Sequence, residues 1–248
     1  MLAKTSSAKI IGSGMIAKSM EKHINNISGV VIFASGVSDS TCSKQSNYNR
    51  EIKLLDKTIK CCRGTDARII YFSSGGAVYG NCDQAKKEDS LLTPVTAYGH
   101  HKMFCEKLII ESGIDYLVLR LPNIVGSNQN KKQLIPYLVD RAVSGHVNLL
   151  CNATRDILDV DDFAILTARI INKVKGSDIL NVATGNSVHV IKIFNEIQNL
   201  LGSNASVKLI NGGEKHYFSI EKLQSILNVS FADNYWQLTL KKYVKQII

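Results

Sequence analysis

The 248-residue chain has no apolar run approaching the ~18 residues that a membrane-spanning helix needs. Its start, MLAKTSSAKIIG, lacks an apolar stretch followed by a small-residue cleavage site, which predicts no secretory signal and a cytoplasmic protein. Six cysteines, at 42, 61, 62, 82, 105 and 151, form no C-x-x-C pair and no zinc-like spacing, so reduced thiols and no metal site are expected. Long basic runs are missing as well. The formal net charge of +9 comes from lysines in ones and twos, without the aromatic interleaving of a nucleic-acid-binding stripe. An anionic small molecule would account for that charge equally well.

What remains is the composition of an ordinary globular protein, 45% hydrophobic with a mean hydropathy of +0.00. The length suits one α/β domain with a small lobe. Residues 8–11 form a short apolar run that stops at GSGMIAKSMEKHI, which has a helical apolar pattern at Met15, Ile16 and Met20. GVVIFASG reads as a strand, followed by a helix over about 47–62, the strand ARIIYFSSGG, and the helix AYGHHKMFCEKLII. DYLVLRLPNIVG is then a strand running into a loop, and KKQLIPYLVDRAVSG a helix. Nearly continuous apolar strands alternating with helices predict a parallel sheet covered on both faces.

Ligands of such sheets bind beyond the carboxyl ends of the strands. Small and polar residues gather at those ends: Gly12, Ser13 and Gly14; Ala34, Ser35 and Gly36; Ser73 to Gly76; Pro122 and Asn123. In GSGMIA, two glycines permit a tight turn and a close approach of a pyrophosphate to the backbone at Gly12, Gly14, Met15 and Ile16, while Ala17 still lets the helix pack closely. Tyr98 and Lys102 stand four apart on one helix and so share a face. A buried stripe led by Phe104 and Leu108 is expected to pack that helix, leaving the Tyr–Lys pair to another purpose.

The pieces GSGMIA, VVIFASG, IIYFSSGGAVYG, AYGHHK, LRLPNIVG and RDILDVDDFA, in this order over nearly the whole chain, resemble the extended short-chain dehydrogenase/reductase family of NAD-dependent nucleotide-sugar epimerases, dehydratases and ketoreductases. The resemblance implies a Rossmann-like α/β core over residues 1–184 and a small C-terminal substrate lobe over 185–248. It implies NAD or NADP as cofactor, bound by the glycine turn, Ala34, Ser35, Gly36, Pro122, Tyr98 and Lys102. Tyr98 becomes the acid/base, with Lys102 lowering a phenol pKa that is otherwise about 10 and also holding the nicotinamide ribose. Asn123 and Arg155 become contacts to a nucleotide-diphosphate sugar, although Arg155 and Asp156 could instead form a surface ion pair. Asp161 and Asp162 are expected to cap or start the next helix. No nucleic acid or membrane partner is implied, and a homodimer is compatible.

Three departures from the family pattern stand out. The hydroxyl expected four places before Tyr79 is replaced by Gly75, leaving Ser74, or Ser73 one further back, as its substitute. Two strand–helix units expected between the glycine turn and VVIFASG are missing, so the acidic residue that reads the adenosine ribose has no strand to occupy. Ile11 stands where the family usually has its first glycine. The activities implied are reduction of a keto-deoxy sugar, C4 epimerisation with retained NAD, or a catalytically weakened sensor or scaffold.

Overall fold

The computed structural model describes residues 7–247. Its centre is a five-stranded parallel sheet. The chain runs through β1 (Lys9–Ile11), α1 (Met15–Glu21), β2 (Val30–Phe33), α2 (Gln45–Cys62), β3 (Arg68–Ser74), the short α3 (Gly75–Tyr79), α4 (Ala97–Ile110) and β4 (Tyr116–Leu121). It continues through β5 (Asn123–Val125), α5 (Leu134–Val143), β6 (His146–Leu150), β7 (Thr154–Arg155), β8 (Ile157–Asp159), α6 (Val160–Lys173) and β9 (Asp178–Asn181). The remainder is β10 (Val188–His189), α7 (Val190–Leu201), β11 (Ser206–Ile210), α8 (Glu221–Leu227) and α9 (Tyr235–Ile247). The main sheet has the order β1-β2-β3-β4-β9. As the sequence predicts, three strands precede Tyr98, and β2 pairs parallel with β1.

Strand alternation sends Ile32, Ile70 and Phe72 to one face, under α1 and α6, and Phe33, Ile69 and Tyr71 to the other, under α2 and α4. The chain steps from β1 to β4 in one direction across the sheet, yet α1 lies on the opposite face from α2 and α4. The β1–α1–β2 connection therefore has the opposite hand to the two that follow. Parallel crossovers are right-handed in about 98% of cases. Met20, fully buried on the α1 face, sits where a right-handed connection to a strand outside β1 would put it. No such strand exists among the described residues, and this inverted hand is the physical mark of the missing strand–helix units.

Three small sheets flank the core. β5 pairs with β8 in parallel, while β6 and β7 pair with β11 and β10, joining chain from both sides of residue 184. Asp159, not Asp161 or Asp162, caps α6, its carboxylate accepting the N–H groups of both; those two residues fill the first turn. Thr96 caps α4, accepting from Gly99 N–H at 3.0 Å. All six cysteines are free, and no helix among the described residues is long and apolar enough to cross a membrane.

The expected stripe on α4 is overturned. Phe104 is 46% exposed and Leu108 only half-buried. The buried face instead carries Tyr98, His101, Lys102, Cys105, Glu106 and Ile109. Glu106 is satisfied there by Arg120, whose Nη2 lies 2.8 Å from Oε2. Hydrophobicity counts mislead on a helix whose inner face holds paired charges. Phe104→Ser should change stability by less than about 0.5 kcal/mol, whereas Ile109→Ala should cost about 2–5 kcal/mol; urea unfolding midpoints of the two variants check this.

Candidate active site

The ends of β1, β2, β3 and β4 converge on one crevice. At β1, Gly12 has φ +131°, and a Cβ there would lie 2.4 Å from Ala34 O. The neighbouring strand end thus leaves no room for a side chain at Gly12. Gly14, which precedes α1, is different: a Cβ there would meet nothing within 4 Å. The backbone at Gly14 therefore borders open space next to the first amides of α1, at Met15 and Ile16, which have no partner within the helix. This geometry fits a cofactor pyrophosphate. On β2, Ala34 N–H donates to Ile11 O at 2.8 Å. Arg50 of α2 donates to Ser35 O at 3.0 Å and to Ser35 Oγ at 3.2 Å. Pro122 and Asn123 follow directly on β4.

Tyr98 and Lys102 come together on α4 as the helical spacing implies, and Ser74 at the end of β3 faces them. Tyr98 is buried against Val37 and Tyr48, with Lys102 Nζ 5.8 Å from its ring centroid. Burial raises the Tyr98 pKa; Lys102 and the Ser74 hydroxyl facing it pull down, Glu51 pushes up, and the result stays above the ordinary phenol value. Lys102 is 2% exposed. Its Nζ donates to Glu51 Oε1 at 2.9 Å, to Tyr71 Oη at 3.2 Å and to Phe72 O at 3.5 Å. Burial disfavours the ammonium, but Glu51 outweighs it and holds the Lys102 pKa well above that of a free lysine. Tyr71 in turn donates to Glu51 Oε1 at 2.9 Å.

Glu51 is a residue that reading the sequence missed. It sits mid-helix in α2, where a charge normally faces water. The available signal was its place in the buried stripe Tyr48, Glu51, Leu55, Thr58, Ile59 and Cys62, whose spacing of three and four marks one helical face. Gly36 belongs with it: a Cβ on Gly36 would lie 2.6 Å from Lys102 Nζ and 3.1 Å from Glu51 Oε1.

The two serines separate cleanly. Ser74 precedes α3 and faces Tyr98. Ser73 is 3% exposed, and its hydroxyl has no hydrogen-bond partner among the described residues. The hydroxyl missing at Gly75 has a packing reason, since a Cβ there would lie 2.2 Å from Phe218 Cε1. A Cβ on Gly76 would likewise meet His216 Nδ1 at 2.3 Å. The segment after β11 thus occupies the space where the expected side chain would project. His216 Nε2 lies 3.1 Å from Glu214 Oε2.

Asn123 and Arg155 sit on the other flank. Asn123 N–H donates to Asp156 O at 3.0 Å. Arg155 Nη1 donates to Thr154 O and Glu214 O, both at 2.7 Å. Arg155 and Asp156 do not pair. Asp156 is fully buried, accepts the N–H groups of Thr184 and Gly185, and is pushed by burial up to about 6. Glu214 and His216 link Arg155 to the Gly75–Gly76 turn.

Ser73→Ala removes an unpaired buried hydroxyl and should leave stability unchanged or raised by up to about 1 kcal/mol. Ser74→Ala removes the hydroxyl facing Tyr98 and should raise the pH at which that phenol ionises. Urea unfolding of the first variant and tyrosine titration of the second check the pair.

A family model described as the NAD dependent epimerase/dehydratase family matches residues 9–183. A Methanocaldococcus jannaschii protein provisionally assigned as a UDP-glucose 4-epimerase is 26% identical over 239 residues, 88% of this chain and 78% of that protein. The dTDP-4-dehydro-6-deoxyglucose reductase of Escherichia coli is 26% identical over 151 residues, 56% of this chain and 48% of that one. In fold, the UDP-N-acetylglucosamine 4-epimerase of Methanobrevibacter ruminantium M1, solved with UDP-N-acetylmuramic acid, superposes with a TM-score of 0.80 at 18% identity, covering 98% of each chain. With more than two thirds of its length matched by the family model, the chain belongs to the NAD dependent epimerase/dehydratase family.

Proposed function

We propose that this chain is an NAD(P)-dependent reductase of a keto sugar carried on a nucleoside diphosphate, with Tyr98 as proton donor. The observation that carries the proposal is the buried phenol beside Lys102 and Ser74, kept protonated by its surroundings. When bound, the reduced nicotinamide supplies the hydride to the carbonyl carbon. Tyr98 gives its Oη proton to the carbonyl oxygen, which stays on the sugar as a hydroxyl group. The charge of Lys102 steadies the phenolate left behind until solvent returns the proton. A proton donor placed in this way is worth roughly 10²–10⁴ in rate.

A second reading, C4 epimerisation, is supported by the assignment of the Methanocaldococcus jannaschii relative. It uses the same residues, but begins by oxidising the sugar and so needs the phenolate first. The positive charge of oxidised nicotinamide would have to offset the raised phenol pKa. Denaturing the purified protein and identifying any released nucleotide separates the readings. Tightly held NAD supports epimerisation, and an empty site that quenches NADPH fluorescence on mixing supports reduction. Tyr98→Phe should abolish turnover in either case while leaving the fold intact; retention of most activity would remove Tyr98 from the mechanism.

On the substrate side, Arg155 spends Nη1 on two carbonyls, leaving Nε and Nη2 without a protein partner among the described residues. A guanidinium held this way suits a two-point contact with phosphate, and charge-assisted bonds of this kind are about twice as strong as neutral ones. Asn123, anchored on Asp156 O, stands beside it. Arg155→Ala should raise KM on the order of 10²-fold, with a smaller fall in kcat, and lysine should restore only part of the loss. The check is steady-state kinetics of the two variants, with uridine, thymidine, guanosine and cytidine diphosphates as competitors. If none competes at millimolar concentration, the nucleotide-sugar assignment fails.

A further inference from the structure

Glu51 touches neither the crevice nor any group given a part in the reaction except Lys102, yet its carboxylate is fully used. Oε1 accepts from Lys102 Nζ and Tyr71 Oη, each at 2.9 Å. Oε2 accepts from Val37 N–H at 2.6 Å and from His101 Nε2 at 2.9 Å. Because an ionised carboxylate only accepts, the proton of His101 must sit on Nε2. One side chain on α2 thereby ties together the turn after β2, strand β3 and helix α4. Glu51, His101 and Cys105 also bring ligand atoms within 4.8 Å of one another. Both Glu51 oxygens are already committed and an ammonium abuts them, so this is an ion-pair hub and not a vacant metal cradle.

We propose that Glu51 is a positioning residue: it fixes where Lys102 sits and how strongly the lysine charge acts on Tyr98. The proposal rests on the reading of Tyr98 as proton donor. Three donors of Lys102 go to Glu51, Tyr71 and Phe72 O, and none points to Tyr98. The lysine therefore acts on the phenol through its field across the 5.8 Å to the ring. Only the bond to Phe72 O, the longest at 3.5 Å, is weak enough to be exchanged for a ribose hydroxyl of a bound cofactor. Glu51 secures the ammonium while that third donor is free to change partner. Gly36 keeps the space open, since any side chain there would strike the pair.

The sign of the electrostatic effect is fixed by the groups facing Tyr98. These are Lys102 and Glu51, the Ser74 hydroxyl, Cys105, whose own thiol burial pushes up to about 12, and Tyr48, which stacks on His101. Among the charges, Lys102 favours the phenolate and Glu51 opposes it, with Lys102 the larger. Removing only the carboxylate charge leaves Lys102 buried without the partner that keeps its ammonium charged, so the larger favourable field on the phenol is lost and Tyr98 must ionise at higher pH. Removing both charges must make it ionise at higher pH.

The experiment labels tyrosine with ¹³C at Cζ and follows the Tyr98 resonance, assigned with Tyr98→Phe, through a pH titration of the ligand-free protein. Glu51→Gln should move the Tyr98 midpoint up by half a unit or more, about threefold in its ionisation constant. Glu51→Gln combined with Lys102→Met should move it up relative to wild type. The double variant leaves no unpaired buried charge, so it decides the matter if the single variant does not fold. A midpoint that stays or falls in folded Glu51→Gln, or a double variant that does not shift upward, overturns the proposal. The titration needs no substrate. Active Tyr98→Phe would defeat the functional reading while leaving the effect of Glu51 on the phenol to be judged separately.

Discussion

An ammonium group that is 2% exposed is tolerated only when a carboxylate answers it. In this protein the answer comes from a different helix. Lys102 on α4 and Glu51 on α2 lie on the same face of the sheet, and their ion pair requires both helices to keep their depth and rotation relative to β3. Tyr71, at the centre of that face, supplies the hydroxyl between them. The turn after β2 is fixed by the same carboxylate through Val37 N–H. The shape of the crevice near Tyr98 therefore depends on one buried charge pair, and Gly36 is glycine because the pair leaves no room for a side chain.

On the opposite face the governing constraint is the shortness of the sheet. β1 has a single neighbour among the described residues, and α1 reaches β2 by a connection of inverted hand. The half of the crevice built by Gly12, Gly14 and α1 keeps its turn and its open amides, while no strand lies beyond β1 among the described residues. Arg50 is held to Ser35, just past the end of β2, by two hydrogen bonds.

Much of this was legible in the sequence. The alternation of apolar strands and helices revealed the parallel sheet, and the four-residue spacing put Tyr98 and Lys102 on one face. The departures at Gly75 and after the glycine turn were visible as well. The charged interior was not. Glu51 looks like a solvated helix residue until the fold supplies Lys102, His101, Tyr71 and Val37 N–H as its partners. On α4 the same blindness had the reverse effect, burying Phe104 on paper while Lys102 and Glu106 took the inner face. Nor could Gly75 be explained from the chain alone, because its neighbour Phe218 lies 143 positions away.

That distance bears on how the protein is made. The ring of Phe218 and the imidazole of His216 complete the wall over Gly75 and Gly76, and the segment bearing them is held by backbone bonds such as Cys82 N–H to Lys215 O and Lys86 N–H to Tyr217 O. During synthesis the sheet through β4 can form as soon as its residues leave the ribosome, but the crevice has one side open until the segment beyond β11 has emerged. Contacts closed across so long a loop come late in folding. The wall over Gly75 and Gly76 is therefore completed only after the chain has been made through Phe218.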